Sequence, residues 1–508
     1  MVTTVKTFAF NGIEVSPVNV QVNISSSGNS SFTIVGLADK AVGESKERVR
    51  TAIASIGLAL PYTRITVNLA PADIVKEGSH FDLAIALGLL IELGALRQED
   101  VNNYYALGEL SLDGSITGVN GILSAAIGAG QRDSGIICPE VCGPEAVWAG
   151  DISILAPKNL IVLLNHFKGL QLLSQPKPNK TKQIFSYPDL IDVKGQETAK
   201  RALEIAAAGG HNFLMIGPPG TGKSMIASRL PGLIPDLDLK EMLEINMIHS
   251  ISGKITDGKL IWKRPFRDPH HSCSMPAMVG GGSKAKPGEI SLAHNGILFL
   301  DELAEFPRQV LDSLRQPIEN GNVTISRVQS HINYPADFQL IAAMNPCKCG
   351  YLSDQAKACK KAPICGRDYQ AKISGPLMDR MDIIIEVPQI DIFDEDVGSR
   401  ESSEVVSKRV LAARNIQKER YEKEESMAST TLKINSRANG KVLEKYTEID
   451  EASQKILKLT MEKMGISIRG YNRILRVSRT IADLDGSENI EKSHLLEAIS
   501  YRRGFIAM

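Results

Sequence analysis

The sequence predicts a doubly wound α/β core, and three short apolar runs predict it, each ending on a residue suited to phosphate chemistry. Phe213-Leu214-Met215-Ile216 leads into Gly217-Pro218-Pro219-Gly220-Thr221-Gly222-Lys223-Ser224, Ile297 to Leu300 leads into Asp301-Glu302, and Phe338 to Met344 leads into Asn345. Fully apolar runs of this length read as parallel strands buried on both faces, and such sheets bind ligands beyond the carboxyl ends of their strands.

The first run and its loop form a complete phosphate-binding signature. Glycines at the loop ends let backbone N–H groups converge on phosphate oxygens without a Cβ in the way. Lys223 can reach the β- and γ-phosphates, and the Ser224 hydroxyl can ligate Mg²⁺. Met225 to Leu230 supplies the helix that this loop has to open. In the second run, Asp301 is placed to hold Mg²⁺ directly or through water, while Glu302 polarises an attacking water. Two adjacent acids can also simply cap a helix starting at Leu303, a reading that loses force beside a full phosphate loop. Asn345, after the third run, is placed to orient the water near the γ-phosphate. ATP with Mg²⁺ is the expected cofactor, and the motif order is that of an AAA+ ATPase.

At 508 residues the chain is long enough for about three domains. Hydrophobic residues at 43% and charged residues at 23% describe a globular chain rather than a disordered one. The most apolar segment, Phe81 to Leu96, contains Asp82 and Glu92 and falls short of a membrane span; with no basic, apolar leader visible, a cytoplasmic location is expected. Fifty-eight basic residues balance fifty-eight acidic ones, so any contact with a polyanion has to be local.

The proline- and lysine-rich tract Ser174 to Lys182 reads as a linker, which sets the expected boundaries: a leading domain over 1–173, a linker over 174–188, the ATPase core over 189–395 and a helical lid over 396–508. In the leading domain, Val18, Val20, Val22 and Ile24 alternate as in a half-buried strand, while Asp39 to Ile56 has helical spacing with Pro61 beyond its end. This domain is expected to be α+β. Glu401 to Glu425 reads as a charged helix. Between Asp450 and Tyr501, Ile456, Leu457, Leu459, Ile474, Leu475, Val477 and Ile481 recur as a packed helical face.

Two clusters lie outside the phosphate motifs. Lys259, Lys263, Arg264, Arg267, His270 and His271 are interleaved with Trp262 and Phe266 and followed by Gly280-Gly281-Gly282-Ser283-Lys284-Ala285-Lys286. Basic side chains beside aromatics and glycines suit a nucleic-acid backbone; a solvated loop packed on its own domain has the same composition. Cys347, Cys349, Cys359 and Cys365 fall within nineteen residues and can close a tetrahedral structural Zn²⁺ site, although the spacing departs from paired two-residue gaps. Free thiols in a loop are the alternative. Seven cysteines in all, an odd number, argue against a disulfide framework.

Asp192-Val193-Lys194-Gly195-Gln196, the phosphate loop, Arg267-Asp268-Pro269-His270-His271-Ser272, Gly296 to Glu302, and Ser374-Gly375-Pro376-Leu377-Met378-Asp379-Arg380-Met381-Asp382 together resemble the magnesium-chelatase-like AAA+ family known as YifB or ComM, over nearly the whole chain. The resemblance implies that Arg380 is an arginine finger reaching a neighbour's γ-phosphate and that Arg469 is the lid arginine called sensor 2. A finger acting in trans implies a homo-oligomeric ring, in this family a hexamer. Arg327 is a weaker candidate for an intersubunit or pore contact, and a hairpin from Gly321 to Ile332 is expected to project toward the pore. The family further implies single-stranded or branched DNA as partner, with a helicase or branch-migration role in natural transformation or recombination. Alternatives are a magnesium-chelatase-type motor serving a partner and a protein-remodelling ATPase. The leading domain resembles the Lon protease fold, but His80 stands at the nucleophile position and the lysine position falls near Leu123, so proteolysis is not expected. Ser79 and Lys76 offer a dyad only in a shifted register.

Overall fold

The computed structural model describes residues 2–25, 30–36, 39–179, 187–255, 258–282, 285–326, 331–352, 359–389, 401–424 and 433–502, with the side chains of 39–42 excepted. The leading part builds a seven-stranded mixed sheet in the order 31–35, 64–70, 14–25, 3–11, 104–106, 135–137 and 154–155. Thr3–Asn11 and Glu14–Ser25 pair antiparallel, whereas the strands from 104 onward are parallel. Val18, Val20 and Val22 point into the core as their alternation predicts. The apolar run after Phe81 forms the helix Asp82–Glu92, with residues 82 to 90 all buried. A helix apolar on every side belongs in a core, and this one packs across the first two strands.

The second sheet has five parallel strands in the order 266–267, 297–300, 339–344, 213–216 and 383–386. All residues of Phe213–Ile216, Ile297–Leu300 and Gln339–Met344 are buried, the condition that removes alternation from their sequences. Parallel alignment brings the carboxyl ends of the strands to one edge, so Gly217, Asp301 and Asn345 arrive together although far apart in sequence. The helix Glu197–Gly209 covers one face and shares its core with the lid helix Ile468–Leu484. Ile474, Val477 and Ile481 are buried there as expected, but Leu459 is 57% exposed: it lies on the solvent side of Glu451–Met464, whose inward position is Leu457. No helix among the described residues is long and apolar enough to cross a membrane.

The two sheets are joined through the helix Leu239–Ser252. Asp238 and Glu241 cap its start reciprocally and Gly253, at φ +73°, closes its end. Ser250 Oγ accepts from Gly121 N at 3.0 Å and donates to the buried Glu145 carboxylate, which also accepts from Leu123 N at 3.1 Å. Beside them the chain's two tryptophans, Trp148 and Trp262, meet edge to face at 5.0 Å. The hairpin Asn322–Ser326 and His331–Pro335 abuts the leading domain's Gly12 turn, where a Cβ would come within 2.8 Å of the Asn333 carbonyl.

Candidate functional site

The phosphate loop opens on Gly217, whose missing Cβ is required by the fold itself: a side chain there would come within 2.3 Å of the Val387 carbonyl. Gly220 and Gly222, at φ +79° and +85°, supply the left-handed turns that carry the chain into the helix Lys223–Ala227. Lys223 is only 8% exposed, and its ammonium donates to the carbonyls of Gly217 at 2.8 Å and Pro218 at 2.7 Å and to Asn345 Oδ1 at 3.3 Å. Burial pulls its pKa below the ordinary lysine value, opposed by the nearby Asp301 charge. Ser224 Oγ donates to Asp301 Oδ2 at 2.6 Å, so the two oxygens suited to Mg²⁺ lie side by side. Asp301 Oδ1 accepts from the Glu302 backbone N–H at 2.8 Å, and Glu302 adopts φ +52°, uncommon for a residue with a side chain. The structure thus brings together Lys223, Ser224, Asp301, Glu302 and Asn345, a basic group, two metal-suited oxygens, a carboxylate and an amide around the loop.

Two further residues join this group. His271 Nδ1 lies 3.1 Å from Glu302 Oε2, and Asp268 follows the neighbouring strand Phe266–Arg267 at the same edge. The Asp268 carboxyl is raised above the ordinary aspartate range by burial and by the Asp301 charge. Both belong to Arg267-Asp268-Pro269-His270-His271; their position past a short apolar-basic pair was the available signal, and it was too weak to mark a strand end. Gln196 also reaches this side, donating to Pro388 O at 2.8 Å and Thr221 O at 3.4 Å.

The expected arginines lie elsewhere. Arg380 is 6% exposed, with Nε on Arg315 O at 3.1 Å, Nη1 on Pro376 O at 2.6 Å and Nη2 on Glu319 at 2.5 Å. Arg469, exposed in the first turn of Ile468–Leu484, has no hydrogen bond or ion pair among the described residues. It lines a cavity of about 310 Å³ with Glu319, Phe338, Asp382, Arg473 and Arg476. Asn212, Phe338 and Asp382 immediately precede three of the parallel strands, so this cavity opens at the amino edge of the sheet, across its strands from the phosphate loop and roughly 13 Å from it. Asp382 is buried against Arg473; burial alone would raise its carboxyl, but Arg473 and His211 hold it far below the ordinary range. Arg327 lies outside the described residues.

Four side chains of the basic patch meet acids within the chain. Lys263 pairs with Asp236, Arg264 with Glu241 at 2.9 Å, Arg267 with Glu289 and His271 with Glu302. Trp262 faces Trp148 and Phe266 stacks on Phe299 at 5.9 Å. The alternation of charge with aromatics could not reveal that Lys263, Arg264, Arg267 and His271 each meet an acid from elsewhere in the chain. The hairpin expected to face a pore has its second strand against the Gly12 turn, and 327–330, between its strands, lie outside the described residues.

In the leading domain His80 and Leu123 are buried. Lys76 Nζ donates to the Pro71 and Ile74 carbonyls and Ser79 Oγ to Glu109, so the shifted dyad is not assembled. The cysteines do converge: Sγ atoms of Cys347 and Cys349 are 3.0 Å apart, those of Cys359 and Cys365 are 3.3 Å apart, and the sulfurs of Cys347, Cys349 and Cys365 all lie within 4.8 Å of one another.

Comparison with known proteins identifies the family of the chain. The family described as "Magnesium chelatase, subunit ChlI" matches residues 189–394, "Subunit ChlI of Mg-chelatase" matches 20–141, and "Magnesium chelatase, subunit ChlI C-terminal" matches 400–502. The uncharacterized protein YifB of Salmonella typhimurium is 42% identical over 500 residues, covering 98% of this chain and 96% of that protein. Competence protein ComM of Haemophilus influenzae is 41% identical over 498 residues, 97% of this chain and 95% of that protein. The magnesium-chelatase 38 kDa subunit of Rhodobacter capsulatus is a distant relative, 23% identical over 62% of this chain and 86% of its own length.

Proposed function

Because the chain belongs to the family of YifB and ComM, relatives of magnesium chelatase, we propose that this AAA+ ATPase forms a ring, hydrolyses ATP and uses the energy to remodel DNA. The observation that carries the hydrolysis is the meeting of Lys223, Ser224, Asp301, Glu302 and Asn345 at one sheet edge. In this reading Lys223 and the loop amides hold the β- and γ-phosphates, and Ser224 and Asp301 hold Mg²⁺, which would neutralise charge on the phosphates. Glu302 takes the proton of the attacking water, with His271 fixing its carboxylate, and Asn345 orients that water.

The position of the arginines supports the ring. Arg380 and Arg469 sit across the sheet from their own phosphate loop, which supports their meeting a γ-phosphate on a neighbouring copy, and Arg469 has no side-chain partner among the described residues. An arginine supplied in trans contributes roughly 10³ to 10⁵ in rate. A hexamer is the family expectation. The Lon-like leading domain serves assembly or substrate binding, and the four cysteines are read as a structural zinc site.

DNA, single-stranded or branched, is the proposed substrate, supported by the likeness to a competence protein. Phosphate release by the purified full chain should rise when forked or single-stranded DNA is added, and Lys223→Ala should abolish turnover. Active enzyme indifferent to every DNA tested would remove the DNA from this reading while leaving the ATPase. The family descriptions favour one second reading, a motor for metal insertion into a tetrapyrrole by a partner. Stimulation by a porphyrin and its partner extract in place of DNA would select it.

A further inference from the structure

Resting on the triphosphate site and the zinc reading proposed above, we infer that a Zn²⁺ ion on Cys347, Cys349, Cys359 and Cys365 fastens the outer wall of the nucleotide pocket, so that metal occupancy controls nucleotide affinity. The sulfurs of Cys347, Cys349 and Cys365 lie within 4.8 Å of one another, and that of Cys359 stands 3.3 Å from Cys365 on the edge of the same space. Sulfurs 2.3 Å from a tetrahedral zinc are about 3.8 Å apart, and the observed contacts of 3.0 and 3.3 Å open to that distance with shifts of a few tenths of an ångström per atom. Neutral thiols are weak donors and weak acceptors, and give four of them little reason to gather from separate points of the chain. On binding, each thiol releases its proton to solvent and each sulfur donates a pair to the metal, which leaves a site of net charge −2. Lys348 and Lys360, each next to a cysteine in sequence, and Lys361, one residue further, are all exposed and offset it.

The cluster is tied to the pocket at three points. Cys347 stands two residues after Asn345, whose Oδ1 accepts from Lys223. Gly350, one residue beyond Cys349, rests on the phosphate loop so closely that a Cβ would approach Pro219 Cδ to 2.6 Å. Cys365 begins the helix Ile364–Gln370, whose Gln370 donates to Pro346 O at 3.1 Å, and Lys372 just beyond it pairs at 3.5 Å with Glu305 in the turn that follows Glu302. One metal would therefore hold the Asn345 strand end, the roof of the phosphate loop and the helix beside the Glu302 turn in a single register. Distant orientation of this kind is what outer supports of a site provide.

Metal analysis of the reduced, full-length protein should find about one zinc per chain, retained in Cys138→Ala and Lys223→Ala and lost from Cys349→Ser and Cys365→Ser. Stripping zinc from the unmodified protein with a strong chelator should weaken binding of a fluorescent ADP analogue about tenfold, and zinc added back should restore it, which separates loss of metal from loss of fold. Absence of zinc, or disulfides in its place, overturns the metal site. Zinc removed with affinity unchanged overturns its control of the pocket. Zinc-loaded protein that binds no nucleotide would instead fail the triphosphate reading and leave the metal count standing.

Discussion

At the scale of single residues, the proposed reaction separates groups that hold from groups that react. Among the described residues the Glu302 carboxylate meets His271 and has no bond to Lys223 or Ser224, so Glu302→Gln should keep nucleotide affinity and lower turnover by about 10² or more, the usual worth of a general base, measured by phosphate release beside a binding titration. His271→Ala should lower kcat about tenfold with affinity unchanged, because it removes an orienting partner and no phosphate contact. Two buried histidines set an acid limit on stability. Burial depresses His80 and His249 to about 4, against weaker support from the Phe8 and Leu292 carbonyls. The unfolded chain takes up these protons first, below about pH 6.5, so the contribution is complete above that value and is lost as pH falls toward 4. Each can cost on the order of 3 kcal/mol. The Tm should drop between pH 7 and pH 5, and His249→Gln should make that drop smaller.

At the scale of elements, short strands carry little stability alone and their placement depends on what covers them. The helix Leu239–Ser252 presents Ser250 to Glu145 and stands next to the Trp148–Trp262 contact, so it welds the two sheets. Edge-to-face rings contribute about 0.5 to 1.5 kcal/mol beyond their buried area. Since both tryptophans lie in this contact, intrinsic fluorescence reports the junction and little else. In Trp148→Ala the remaining emission of Trp262 should be shifted to the red and should change at lower urea than in Trp148→Phe. Strands were legible in the sequence where burial was complete, as in Phe213–Ile216. Phe266–Arg267 was not, because two residues leave no period to read, and with it went the placement of Asp268 and His271.

At the scale of the whole molecule, the five parallel strands put the phosphate loop on one edge and Arg469 with its cavity on the other, where Arg380 also precedes a strand, so the proposed arginine roles need a second copy. Mixing two inactive proteins tests this directly. Lys223→Ala supplies an intact arginine and Arg380→Ala an intact loop, so mixed rings should regain activity at up to roughly one quarter of their interfaces if subunits combine at random. Each variant alone should remain inactive. Because Arg380 is buried on Glu319 and two carbonyls, its replacement should also lower Tm, and the regained activity of the mixture distinguishes a lost finger from a lost fold.

Sequence alone determined the chemistry of the phosphate loop, the acids of Asp301-Glu302 and the family, since each depends on residue type at fixed local spacing, which the covalent chain enforces. Only the tertiary structure decided which charges are free. Lys263, Arg264, Arg267 and His271 face carboxylates, Arg380 is enclosed, Arg469 has no side-chain partner among the described residues, and the thiols of Cys347, Cys349 and Cys365 share one space with Cys359 beside Cys365. Partners of that kind come from strands and helices brought together by packing, and the distance between them in space is not encoded by any local pattern in the chain.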